Sequence, residues 1–395
     1  MLPFDPSAPQ PHPLWRLGFR PFFLAGSAFA LLAIAYWLGV LTGHAPALAP
    51  AGSGLAWHRH EMIYGFGGAI IAGFLLTAVT NWTGRPGTSG PALMMLFGAW
   101  LLARLAWFSG LPVGAVAVLQ LSVLPLLALH LGAQLWAVRQ KRNYPVVFIV
   151  LLLAASEALN LAGVVRGDDG LQRQGALAAL WLIAALMGLI GGRVIPFFTQ
   201  RGLGRDTVAP PRPRLDVLGL GCAIAVAALN ASGLGTTPQP GLALLFGLIA
   251  LLHGQRLVRW YDAGIWRVPL LWSLHVAYAW LMVAAIGTGL WHLGLLENGS
   301  LASHALSVGG MGGLILAMMA RVSLGHTGRP LEPPRSMNLA FASLHLATCA
   351  RIGLVPFVPV TGFWLAGSGW LLAFGVFLGH YAPLFWRARA DGRPG

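Results

Sequence analysis

Histidine is the residue type in this sequence with the greatest capacity for chemistry. The chain has twelve histidines among 395 residues, of which 57% are hydrophobic and only 9% are charged. Neutral imidazole is a common ligand for haem iron and for copper. An ionisable side chain at membrane depth is costly and usually functional. The histidines therefore indicate a haem or metal site wherever two of them share one depth in the protein.

Two segments hold the histidines that we expect to meet. His58 and His60 lie in the motif WHRHEMIYGFGG, and His304 lies in SHALSVGGMGG, and each motif begins an apolar run. His60 and His304 would come from different helices at one depth, so they could clamp a haem or share a dinuclear site. His58 and His60 are two residues apart, and on a helix they point about 200° away from each other. We therefore expect only one of these two to be a ligand.

Three further histidines, His275, His345 and His380, fall toward the opposite half of the protein. Each could be a metal ligand or a polar contact between helices, and the sequence leaves both interpretations open. His44, His292 and His326 lie at the ends of apolar runs. There an imidazole often only bridges lipid headgroups and water.

Glu157 is the carboxyl best placed to move protons. It lies near the centre of an apolar run, with Asn160 one turn further on the same helical face. A carboxyl at that depth is neutral or paired, so it could pass protons to the histidine site or form a structural hydrogen bond to a neighbouring helix. Glu61 follows His60 directly and could orient a ligand or pair with Arg59.

Long apolar runs must position these side chains. The mean hydropathy is +0.71, and a helix needs about 20 apolar residues to cross a bilayer. The sequence predicts an all-α, polytopic membrane bundle of about 12 transmembrane helices. We treat residues 1–395 as a single membrane domain, with halves 1–200 and 215–395 joined by a polar cytoplasmic loop. The predicted spans are 22–42, 61–80, 91–109, 112–138, 145–165, 173–199, 215–234, 240–260, 268–292, 300–324, 337–356 and 360–386.

The basic residues are distributed unequally between the two sides of this predicted bundle. Twenty of the 25 Lys and Arg residues fall on the side of the chain ends. The other side receives Arg59, Arg104, Arg166, Arg173 and Arg351. Cytoplasmic loops carry the excess of positive charge, so both termini are predicted to be cytoplasmic and His58, His60 and His304 periplasmic. The same bias accounts for the net charge of +14 without nucleic-acid binding.

Missing motifs narrow the chemistry further. The two cysteines are Cys222 and Cys349, and no CxxC occurs, so any haem would be bound non-covalently. A b-type haem is the group that we expect. The sequence has no phosphate-binding loop, no dinucleotide fingerprint and no glycine-flanked serine nucleophile. ATP-driven transport and hydrolase chemistry are therefore disfavoured.

Three long motifs, at residues 57–85, 191–199 and 304–331, closely resemble the NnrS family. The resemblance covers essentially the whole chain. It implies a bacterial inner-membrane protein that contains haem and copper and acts in denitrification and in tolerance of nitrosative stress. His58, His60 and His304 lie inside the matching motifs, but the choice of ligands comes from the depth argument above.

The first functional hypothesis is a haem/copper membrane protein that binds nitric oxide or metal–nitrosyl species. It could also reduce nitric oxide with electrons from a quinol or another donor. The predicted cofactor ligands are His58, His60, His304 and His275; the predicted metal ligands are His60, His304, His345 and His380; and Glu157 is the predicted catalytic proton donor. The alternatives are a transporter or a metal- or haem-handling protein, and a nitric-oxide-binding sensor without turnover.

Overall fold

The computed structural model describes residues 11–44, 49–207 and 209–393, and in these ranges it contains helices and no strands. The extreme ends of the chain, which we predict to be cytoplasmic, lie outside the described residues. Twelve long helices are present in the described ranges, one for each predicted span. They are α1 (Phe19–Leu41), α2 (Gly54–Thr83), α3 (Gly90–Ala106), α4 (Val113–Ala137, interrupted at Ser122), α5 (Tyr144–Arg166), α6 (Asp169–Leu203), α7 (Pro213–Ala231), α8 (Leu242–Trp260), α9 (Pro269–His292), α10 (Ser300–His326), α11 (Ser336–Gly353) and α12 (Pro359–Phe385).

Ten of these helices are long and apolar enough to cross a membrane, and α3 and α11 are the two that are not among them. The outer surface agrees with a lipid environment. Leu244 and Val258 on α8, for example, are 82% and 77% exposed, and such large apolar surfaces are rare in soluble monomers. The fold is therefore an all-helical bundle with about ten clear spanning helices.

The α5–α6 connection brings two helices unusually close. α5 ends at Arg166 and is followed by Gly167, whose φ of 67° lies in the left-handed region that favours glycine. Asp168 then caps α6, because its carboxylate accepts a hydrogen bond from the Leu171 amide at 2.9 Å. A Cβ on Gly175 would lie only 2.4 Å from the backbone nitrogen of Asn160. The backbones of α5 and α6 are therefore in contact. This contact fixes the orientation of α5 and thereby the direction of the face that carries Glu157.

α2 and α10 each contain a stretch of wider π-helical turns. In α2 it covers Glu61–Gly67, directly after His60, and in α10 it covers Ala305–Gly312, directly after His304. The Gly65 carbonyl inside the first stretch accepts a hydrogen bond from the Trp100 indole at 2.9 Å. Wide turns of this kind are rare and frequently occur at functional sites.

The first and last helices are joined by one buried arginine. α1 packs against both α2 and α12. The Arg20 guanidinium donates to the carbonyls of Leu384, Phe385 and Arg387 at 3.3, 3.1 and 2.8 Å. These carbonyls would otherwise lack partners at the end of α12, so Arg20 closes the bundle around α2.

Candidate functional site

A cavity of about 630 Å³ lies at one end of the bundle. Its walls come from α2, α6, α7, α8, α9 and α10 and from the loops before α8 and α10. We call it the histidine cavity because His58 and His304 both line it, together with Arg173 and Met311. Its volume is typical of a site for a cofactor or other small molecule.

Each of the two histidines of this cavity has one ring nitrogen without a partner among the described residues. His58 stacks flat on Trp37, with ring centroids 4.3 Å apart, and its buried Nδ1 makes no hydrogen bond within the described ranges. His304 Nδ1 donates to the Ser300 carbonyl at 2.7 Å. A proton held on Nδ1 leaves Nε2 unprotonated, and this is the form in which histidine binds metals.

His60 leaves α2 on a different side and is completely buried. Its Nδ1 lies 2.9 Å from Glu61 Oε1, and its Nε2 lies 3.3 Å from Glu157 Oε1. His60 therefore connects α2 to α5 and does not line the histidine cavity. The structure brings together His60 and Glu157 on one side and His58 and His304 on the other. Ligation by His60 stays a prediction, with both of its nitrogens already facing carboxylates.

Further charged and polar groups near His60 contact Glu61. Its Oε2 lies 2.8 Å from Arg104 Nε in an ion pair, and its Oε1 accepts a hydrogen bond from the Trp107 indole at 2.7 Å. Arg104 also donates to Gln120 on α4. We call His60, Glu61, Arg104, Gln120 and Glu157 the buried polar network. All five are at most 6% exposed, so their charges must be balanced by one another.

The alternative pairing of Glu61 with Arg59 is wrong. Arg59 Nη1 lies 2.7 Å from Asp169 Oδ1 at the start of α6. Residues two apart on a helix point in different directions. Arg59 therefore faces the partly exposed end of α6 and Glu61 faces the interior.

The remaining predicted ligands, His275 for the cofactor and His345 and His380 for a metal, lie away from the histidine cavity. His275 Nδ1 donates to the Leu271 carbonyl at 2.9 Å. His345 Nδ1 accepts from the Trp280 indole at 3.2 Å, and His380 Nε2 lies 2.6 Å from Ser336 Oγ. Within residues 11–44, 49–207 and 209–393, no group of three or more His, Cys, Asp or Glu side chains is arranged to hold a metal ion. These three assignments stay predictions.

Sequence reasoning missed three members of the site: Arg104, Trp107 and Gln120. Arg104 was counted only among the charges of the periplasmic side, although it is buried. Gln120 stands in an otherwise apolar run, and this was the available signal, since a buried amide needs a hydrogen-bond partner. Trp107 had no distinguishing signal among the 16 tryptophans.

Comparison with known proteins gives one finding. The family model described as NnrS protein matches residues 13–389. No curated protein matches the chain. The matched range contains the whole histidine cavity and the whole buried polar network.

Proposed function

Because the chain belongs to the NnrS family, we propose that it is a multi-pass inner-membrane protein of the nitric oxide response that binds haem in the histidine cavity. In this proposal the chain crosses the membrane about twelve times, with both termini in the cytoplasm. The observation that carries the proposal is that imidazoles from α2 and α10 line one cavity of cofactor size.

The residues of this cavity suit a haem. The hydrogen bond from Nδ1 to Ser300 already orients the His304 ring, so that its Nε2 can be a ligand. His58 has a buried Nδ1 without a protein partner in the described ranges. Arg173 lines the same cavity and supplies positive charge for the carboxylates of haem. Bound haem would supply an iron centre that takes nitric oxide as a ligand.

The described residues do not suit a closed copper site in the same way. They contain no cluster of three or more His, Cys, Asp or Glu side chains placed to hold a metal ion. Copper therefore stays an expectation from the family resemblance, and no step is derived through it.

Reduction of nitric oxide would need protons close to the cavity. Two molecules of nitric oxide, two protons and two electrons give nitrous oxide and water. Glu157 is 2% exposed and faces His60, so this pair can hold a proton inside the bundle. The electrons would come from a quinol or another membrane donor.

Haem content tests the proposed site. Purified protein should show a Soret band, and His304→Ala and His58→Ala should each lower the haem-to-protein ratio. His380→Ala is the matched control, because His380 is exposed and lies outside the cavity, and it should keep the wild-type ratio. A wild-type protein without a Soret band, or two cavity variants with full haem content, would reject the proposal.

A transporter for haem, copper or a small ion is the second candidate. It is favoured by a further cavity of about 230 Å³ near the opposite end of the bundle, lined by Asn81, Arg193 and His326. Anaerobic consumption of nitric oxide by the reduced protein in detergent separates the candidates. Consumption supports an enzyme, tight binding without consumption supports a sensor, and uptake into proteoliposomes without either supports a transporter.

A further inference from the structure

Three cavities follow one another through the bundle between α2, α6 and α10. The histidine cavity occupies one end, and the polar cavity lined by Asn81 and Arg193, which we call the distal cavity, lies toward the other. Between them is a cavity of about 110 Å³, the apolar cavity. Met311 lines both the histidine and the apolar cavities, and Met318 lines both the apolar and the distal cavities.

The walls of the apolar cavity carry no ionisable side chain and no side-chain oxygen or nitrogen. They include Phe23, Ile183, Met187 and Met311. An engineered cavity of about 150 Å³ with such walls stays dry and binds benzene or xenon. Water or an ion would lose its hydrogen bonds here without replacement. A small apolar molecule makes no strong hydrogen bonds in water and would therefore lose none here.

Gly67 keeps the junction between the apolar and histidine cavities open. A Cβ there would lie 3.5 Å from Met311 Sδ and 3.8 Å from Ile183 Cδ1, and these are ordinary contact distances. No clash therefore requires glycine, although glycine is less favourable than alanine inside a helix. The missing side chain leaves space where the two cavities share Met311.

We propose that the apolar cavity binds a small uncharged apolar molecule, of the class of diatomic gases, and passes it to the histidine cavity. The destination rests on the proposed function, whereas binding in the cavity itself does not. The thioethers of Met187, Met311, Met318 and Met319 could alternatively hold Cu(I). The absence of any carboxylate among the lining residues disfavours a cation, because its charge would be uncompensated.

Xenon tests the proposal without any need for haem. Full-length protein carrying ¹³C-methyl methionine is placed in nanodiscs, and its methyl NMR signals are recorded under xenon pressure. The signals of Met187, Met311, Met318 and Met319 should shift. Those of Met94 and Met95 should not, because these side chains are exposed on α3, at 43% and 70%, far from the cavity walls.

Two glycine variants test whether the xenon-dependent shifts arise in the apolar cavity. Gly67→Leu fills the junction and should abolish the xenon shifts. Gly247→Leu is the matched control, because a Cβ at this exposed glycine of α8 meets nothing within 4 Å, and it should retain them. If Gly67→Leu does not fold, Gly67→Ala should reduce the shifts.

The outcomes separate this inference from the proposed function. Unshifted cavity methionines in wild-type protein overturn the inference even if haem is bound. Saturable shifts with Cu(I) under anaerobic conditions, without shifts under xenon, overturn it in favour of a metal site. Xenon shifts in a protein that binds no haem support the gas site and count against the proposed function.

Discussion

Glu61 binds three buried groups at once. Its Oε2 is ion-paired with Arg104 at 2.8 Å, and its Oε1 accepts a hydrogen bond from Trp107 at 2.7 Å and lies 2.9 Å from His60. Glu157, in contrast, reaches only His60, at 3.3 Å. The two carboxyls therefore have different roles: Glu61 balances a buried guanidinium, while Glu157 faces the His60 imidazole.

The first prediction compares the stability of two amide variants. Glu61→Gln leaves the Arg104 guanidinium buried without a countercharge, which should lower the free energy of unfolding by about 3–5 kcal/mol. Glu157→Gln removes only one long contact and should cost about 1 kcal/mol or less. Thermal unfolding in detergent measures both. Equal losses would contradict the assignment of Glu61 as the counterion of Arg104.

The second prediction concerns proton delivery. If Glu157 supplies protons, Glu157→Gln should slow nitric oxide consumption by the reduced protein by about 100-fold, as expected for loss of a general acid. The haem spectrum should stay unchanged, since Glu157 does not line the cavity. Glu297→Gln is the control, because this exposed carboxylate lies at the cavity itself. An unchanged rate in Glu157→Gln would remove the residue from the mechanism.

The sequence could predict the depth of the site but not its partners. Apolar runs place Glu157 well inside its helix, because the bilayer sets the length of each run. The predicted span 61–80, however, starts after His60, whereas α2 begins at Gly54, so His60 lies inside α2 and not at its entry. Span ends read from hydropathy are uncertain by about two to four residues, which is up to one helical turn. Arg104 was placed inside the predicted span 91–109 and counted with the periplasmic charges, and hydropathy could not show that it pairs with Glu61 inside the bundle.

At the scale of helices, the length of each apolar run predicted the helix bounds, whereas the sequence did not predict where the helical winding changes. The predicted spans 173–199 and 240–260 correspond to Asp169–Leu203 and Leu242–Trp260. The wide turns after His60 and His304 had no sequence signal, since a wide turn depends on what packs against it. The Trp100 hydrogen bond to Gly65 is one such contact. In α10, a Cβ on Gly309 would lie 2.5 Å from the Trp280 ring.

The third prediction tests the close α5–α6 contact. Gly175→Ala places a Cβ 2.4 Å from the Asn160 nitrogen, so the helices must separate. The expected loss of stability is about 1–3 kcal/mol. Gly98→Ala on α3 is the control, because its Cβ meets nothing within 4 Å, and it should stabilise by about 0.5–1 kcal/mol. Unfolding midpoints that move in the same direction for both variants would contradict backbone contact between α5 and α6.

At the scale of the whole molecule, the few basic residues assigned to the periplasmic side gather near the histidine cavity. Arg59 and Arg173 line it, Arg351 is close enough to interact electrostatically with His58 and His304, and Arg104 lies in the adjacent network. The residues that the charge bias assigned to one side of the membrane therefore lie at one end of the bundle. That bias depends on α3 and α11 crossing the membrane, and these are the two helices without a clear spanning signature.

The fourth prediction is that α3 crosses the membrane. Its 17 residues extend about 25 Å, slightly less than a hydrocarbon core of about 30 Å, and local thinning of the bilayer can absorb that difference. The test uses Ser89→Cys and Ser109→Cys, two exposed positions on either side of α3, with Cys222 and Cys349 replaced by serine. In right-side-out vesicles a membrane-impermeant maleimide should label Ser109→Cys directly and Ser89→Cys only after the vesicles are opened.

Labelling of both positions from the same side would contradict the crossing. If α3 and α11 both failed to cross, every loop between them would change sides while the chain ends stayed together. The cytoplasmic excess of twenty basic residues over five would then be lost, because most of those residues lie between the two helices. The strength of that excess is the physical reason to expect that both short helices cross.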